Sequence, residues 1–174
     1  QRMGVADPAA AAFLRADNTV RQNLLGRAGR LVSAETTDDH SLVRLTARWA
    51  PDDSGTFRRL VVERKGEGFV SRIETAPLTK GTRLAGGVIR SSLFAATDAA
   101  NIPDAVAMQV AEIFSGNIDF HRSLRKDDRF AVVYETLEAD GEPLRTGRVL
   151  STEFRNNGKT YEAVWFQEPE ASKG

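Results

Sequence analysis

A chain of 174 residues with 41% hydrophobic side chains has room for one domain or two small ones, each with a modest core. The 24 lysines and arginines equal the 24 aspartates and glutamates, which argues against a wide basic field for duplex nucleic acid or anionic lipid. The absence of cysteine removes disulfides, thiolate zinc sites and cysteine nucleophiles together.

No apolar run approaches the roughly 20 residues that span a bilayer, and no charged start followed by an apolar run marks a signal peptide. The chain begins Gln1-Arg2 without an initiator methionine, and it reads as a processed or trimmed protein whose export signal or anchor would lie upstream. Asp7-Pro8 is a helix opening, with Asp as N-cap, Pro at the first helical position and Ala9 to Leu14 as helix formers. Asp17-Asn18 reads as a break with a second cap, after which Val20, Leu24 and Leu25 recur at helical spacing up to Gly26. From Gly29 the period changes to alternation. Leu31 to Ala34, and Leu42, Val43, Leu45 and Trp49 among polar neighbours, predict strands with one buried face. Pro51 to Gly55 is a turn cluster, and Phe57 to Arg64 and Phe69 to Glu74 form a hairpin around Lys65-Gly66-Glu67-Gly68.

Ala76 to Gly81 is the expected boundary, giving domains at residues 1–79 and 80–174. Arg83 to Arg90 then reads as a strand, Ser91 or Ser92 as the cap of a helix through Ala100, and Asn101 to Asp104 as a break before a second helix ending at Gly116. A three-stranded meander completes the second domain: Arg129 to Leu137, Arg145 to Arg155 and Thr160 to Gln167, with turns at Asp140-Gly141-Glu142-Pro143 and Asn156-Asn157-Gly158. The polar tail from Glu168 to Gly174 is expected to fray. The fold class is α+β, two small domains that each pack a short helical pair on an antiparallel sheet.

Chemistry is sparse. His40 and His121 carry no metal-ligand spacing, and read as a solvated loop residue and part of a capping corner; a metal would need Asp119, His121 and Asp127 or Asp128 to converge. Ser91-Ser92 has no nearby base, and Gly86-Gly87 lacks the further glycine and lysine of a phosphate loop, so a helix cap and a bend are the simpler readings. Trp49, Tyr134, Tyr161, Trp165 and Phe166 fall on predicted strands. Most read as core, but Trp49, Tyr161 and Trp165 are candidates for stacking on sugar rings, and the adjacent Trp165 and Phe166 must face opposite sides.

An ordered series of segments carries a family resemblance: Ile89-Arg90-Ser91-Ser92-Leu93-Phe94, Ile102-Pro103-Asp104, Ile113-Phe114, Ile118-Asp119-Phe120, Asp128 to Glu135 and Gly147-Arg148-Val149-Leu150. Together they resemble the second, non-catalytic domain of M23-type zinc metallopeptidases that cut peptidoglycan. The segment before them is similar to the front domain of the same proteins, LysM-like in some members. Where that family tends to carry Gly-Asp before a Phe-x-Val-Val strand, this chain has Asp127-Asp128.

The resemblance implies a Gram-negative envelope or periplasmic protein whose complete form is a metalloendopeptidase. The ligand motifs His-x-x-x-Asp and His-x-His are absent, so zinc and catalysis are expected in a domain beyond Gly174, and this chain is not expected to be an enzyme. Its implied role is regulation and substrate positioning, with peptidoglycan, its own catalytic domain and an envelope activator protein as partners, and no nucleic acid. In some relatives the front domain obstructs the zinc cleft. Glu67, on a hairpin tip between two glycines, is the inhibitory candidate, with Glu63 and Glu74 behind it; a solvated turn residue is the plainer reading of Glu67. The alternative function is a module that binds cell-wall glycan, alone or to recruit the enzyme.

Overall fold

The computed structural model describes residues 5–165 and is mostly β: two four-stranded antiparallel sheets with four short helices. The chain divides into two compact units. Unit 1 takes residues 1–79 together with 139–144, and unit 2 takes 80–138 with 145–174.

Unit 1 opens with α1 (Pro8–Ala16) and α2 (Asn18–Asn23). The Asp7 carboxylate accepts the Ala10 N–H at 3.0 Å, and Asp17 accepts the Val20 N–H at 3.0 Å, so each helix begins on the aspartate its sequence supplies. The sheet follows in the order β1 (Leu31–Thr36), β2 (Leu42–Trp49), β3 (Thr56–Lys65), β4 (Gly68–Pro77). Its register sets Leu45 opposite Val62 and Ala47 opposite Leu60. These four side chains, with Leu42 and Trp49, bury against Ala10 and Val20 of the helices. Strand alternation sends Arg44, Thr46, Arg48, Arg59, Val61 and Glu63 to the other face.

The segment read as a break between domains is almost entirely strand. Thr56 pairs with Pro77 and Phe57 with Ala76, and β5 (Thr79–Val88) resumes after Leu78, whose N–H reaches the Gly55 carbonyl at 2.8 Å. Pro77 is tolerated there because it ends the strand, where a missing N–H costs little.

Unit 2 orders its strands β5, β6 (Arg129–Ala139), β7 (Glu142–Asn156), β8 (Lys159–Val164). The expected three-stranded meander is therefore a sheet of four, because the isolated strand at Arg83 joins its edge. Gly86 and Gly87 are not a bend. They lie inside β5, and a Cβ on Gly86 would stand 2.6 Å from the Phe130 carbonyl oxygen, so only glycine allows that approach. Two helices, α3 (Leu93–Ala99) and α4 (Asp104–Phe114), supply Leu93, Val106, Val110 and Phe114 to a core shared with Ile89, Phe130, Val132, Tyr134 and Phe154 of the sheet. Phe154 is fully buried and meets Phe114, Phe120 and Phe130 at 5.5 to 6.1 Å between ring centres. Phe166 and the tail from Glu168 lie outside the described residues.

Candidate functional site

The β3–β4 hairpin turns on Gly66, whose φ of 63° is a left-handed value that favours glycine. Glu67 follows it at the apex. Its side chain is exposed and makes no hydrogen bond or ion pair among the described residues. The neighbouring candidates differ in kind. Glu63 is held by Arg44 and Arg72, and Glu74 by Arg59 and Arg72. Both carboxyls are drawn below the ordinary carboxylate value, first by hydrogen bonds from Arg72 and then from Arg44 or Arg59. A carboxylate shared by two guanidiniums has its lone pairs committed, whereas Glu67 offers both oxygens to solvent.

These pairs belong to a chain of alternating charge on the outer face of the unit 1 sheet. Arg44 leads to Glu63, Glu63 to Arg72, Arg72 to Glu74 at 2.7 Å, Glu74 to Arg59, Arg59 to Asp140, and Asp140 to Arg48. The register explains why Asp140 matters. Arg48 and Arg59 stand directly opposite each other on β2 and β3, a repulsive arrangement until a carboxylate is placed between them. Asp140 and Gly141, both at positive φ, form the tight β6–β7 turn and fall within unit 1. The Arg59 guanidinium, with Arg48 beside it, lowers the Asp140 carboxyl below its usual range, and Asp140 and Glu74 in turn raise Arg59.

The three aromatic candidates separate sharply by exposure. Trp49 is 4% exposed with the Arg30 guanidinium 4.4 Å from its ring centre, so it presents no free face to a sugar. Tyr161 is half-buried against the unit 2 core, 6.5 Å from Phe114. Trp165 is 55% exposed, and Arg148 lies 4.9 Å from its ring centre.

The chain is similar in part to a peptidoglycan endopeptidase. No family model matches it. Peptidoglycan DD-endopeptidase ShyC of Vibrio cholerae is 26% identical over 126 residues, which cover 72% of this chain and 28% of ShyC. Among solved structures, Helicobacter pylori Csd3 is 16% identical with a TM-score of 0.46, covering 76% of this chain and 35% of its own. A zinc-containing peptidase from Vibrio cholerae is 17% identical with a TM-score of 0.47, covering 94% and 49%. The chain thus spans less than a third of ShyC and less than half of each of these solved chains.

Among the described residues no three or more His, Asp or Glu side chains gather as metal ligands. Asp119, His121 and Asp128 do not converge. Asp119 Oδ1 accepts the backbone N–H groups of His121 and Arg122, while Asp128 is buried and accepts from Arg125 N, Asn156 Nδ2 and Asn157 N. Asp128 is a closure for the turn that starts β6, its carboxyl lowered because these hydrogen bonds outweigh the cost of burial. His40 is exposed in a turn at φ 65°. Ser92 accepts the Ala95 N–H at 3.1 Å and is a helix cap.

Sequence reasoning missed a concavity in unit 2. It lies where the start of α3 meets the end of α4 and residues 118–121, with a volume of about 540 Å³. Phe94 and Phe120 stood in the segments that carry the family resemblance, but their spacing gave no sign that they share a wall.

Proposed function

We propose that this chain is the regulatory and substrate-positioning front of an M23-type peptidoglycan metalloendopeptidase of the Gram-negative envelope. Residues 1–79 would be a front domain, LysM-like as in some members of that family, and residues 80–174 a second domain, each carrying its helical pair on its own sheet. The observation that carries the reading is the 126-residue similarity to a peptidoglycan endopeptidase. Zinc and bond cleavage then belong to a catalytic domain outside this sequence.

Glu67 is the residue assigned to gating. An exposed carboxylate on a two-residue tip reaches beyond the sheet, and its lone pairs are unspent while those of Glu63 and Glu74 are taken by arginines. Carboxylate oxygen is an effective zinc ligand, so such a tip can displace the water that hydrolysis requires. The test is addition of this chain to a separately produced catalytic domain acting on purified sacculi. Inhibition that Glu67→Gln relieves and Glu63→Gln does not supports the assignment; hydrolysis at an unchanged rate with the wild-type chain sinks it.

The second reading, a module that recruits the enzyme to wall glycan, is favoured by the exposure of Trp165. Co-sedimentation with sacculi that survives removal of residues 1–79 would support it; a third option, a scaffold for an envelope activator protein, predicts neither that result nor inhibition.

A further inference from the structure

We propose that the unit 2 concavity beside α3 and α4 binds an N-acetylated amino sugar of a glycan strand. The choice of sugar rests on the peptidoglycan reading above; the place and the chemistry rest on geometry. A volume of about 540 Å³ falls within the range of about 300–1,000 Å³ occupied by small-molecule sites.

Its walls suit a sugar ring. Phe94 is 47% exposed, so a face of its ring is open to a ligand. Phe120 is fixed edge-on to the buried Phe154, 5.5 Å between centres at 84°, so that wall is rigid before any ligand arrives. Leu93 and Ile118, both almost wholly buried, supply apolar lining for the acetyl methyl group.

The polar groups are spare in complementary ways. Asp119 uses Oδ1 on its own turn and leaves Oδ2 without a partner among the described residues, ready for an amide N–H or a hydroxyl. The His121 imidazole likewise has no partner there. Ser92 Oγ accepts from Ala95 N and keeps its proton to donate; Ser115 Oγ donates to Glu112 O and keeps acceptor capacity. An N-acetylated sugar brings a C–H face, a methyl group, an amide and several hydroxyls, one partner for each.

Four other depressions among the described residues lack this combination. The slot beside Gly86 and Ala100 has no aromatic wall, the groove at Leu84 and Val164 likewise has none, and the depression over Arg59 and Glu74 is filled by groups already paired. Trp165 borders a space of only about 130 Å³.

The experiment titrates the full chain with a soluble N-acetylglucosamine oligosaccharide and follows the His121 ring and backbone amide resonances. Saturable shifts at residues 92–95 and 115–122 are expected, with affinity reduced about tenfold by Phe94→Ala through loss of ring stacking. Asp119→Asn, which keeps the turn's acceptor oxygen, is expected to weaken binding without changing thermal unfolding, and so stands in if Phe94→Ala fails to fold. Absence of shifts at millimolar sugar overturns the inference, as do shifts centred on Trp165, unchanged affinity in both variants, or shifts produced by a wall stem peptide and not by the sugar. A chain that ignores the sugar yet inhibits the catalytic domain loses this site alone. One that binds the sugar but neither inhibits nor sediments with sacculi loses the functional reading instead.

Discussion

Single carboxylates fix much of this molecule. Asp7 and Asp17 are legible as caps because Asp before a helix-forming run accepts the free N–H groups of the first turn. The structure adds what spacing could not: Asp7 also accepts Leu42 N and Arg64 Nη2, 35 and 57 residues away, and Asp17 also accepts the Ser71 hydroxyl. Asp17→Ala is expected to lower stability by about 1 kcal/mol, the ordinary cost of a lost N-cap, with a further loss from the stranded Ser71 hydroxyl; urea unfolding followed by circular dichroism measures it. Glu67 is the opposite case. Its substitution by Gln is expected to leave the urea midpoint within experimental error, since the side chain is exposed and makes no hydrogen bond or ion pair among the described residues, while removing inhibition of the catalytic domain in trans.

At the scale of elements, the outer face of β2, β3 and β4 is a row of arginines made tolerable by interleaved carboxylates. Glu63, Glu74 and Asp140 all have folded values depressed below the ordinary 4.5 and 3.8. Depressed folded values mean stability that is fully present above the unfolded range and lost as pH falls through the folded values, because the unfolded chain takes up protons first. Unit 1 is therefore expected to lose urea resistance from about pH 5 downward, more steeply than an Asp140→Asn variant, which lacks one of the three titrating links. Arg59, raised above the ordinary arginine value by Asp140 and Glu74, stays charged throughout and adds nothing to that window. Added salt is expected to weaken the same links only modestly at neutral pH, as solvent already screens such exposed pairs. In the other sheet, Gly86→Ala forces a methyl group against the Phe130 carbonyl oxygen at 2.6 Å, with no flexible side-chain end to move aside. A loss of about 1–3 kcal/mol is expected, read as a drop in unfolding midpoint.

For the whole molecule, the described residues gather no metal ligands, and this chain incubated with zinc is expected to release no soluble fragments from purified sacculi; measurable release would overturn the proposed division between regulation and catalysis. The sequence alone determined the local vocabulary. Aspartate and serine caps, the Asp140-Gly141 and Asn157-Gly158 turns and the alternating strands each follow from backbone preferences of a few adjacent residues, and the structure has them. What it left open depended on partners distant in the chain. Trp49 was a candidate for sugar stacking beside the plainer core reading, because alternation says that one face is buried without saying which; it is 4% exposed, with the Arg30 guanidinium over its ring. Gly86-Gly87 read as a bend because the Phe130 carbonyl that demands a glycine lies 44 positions away from Gly86. The same reason covers Glu63 and Glu74, bound by arginines of neighbouring strands, and the Phe94–Phe120 concavity, which exists only once α3 and α4 have docked. Short-range sterics and hydrogen bonding wrote the elements; long-range packing chose which of their faces remain free to act.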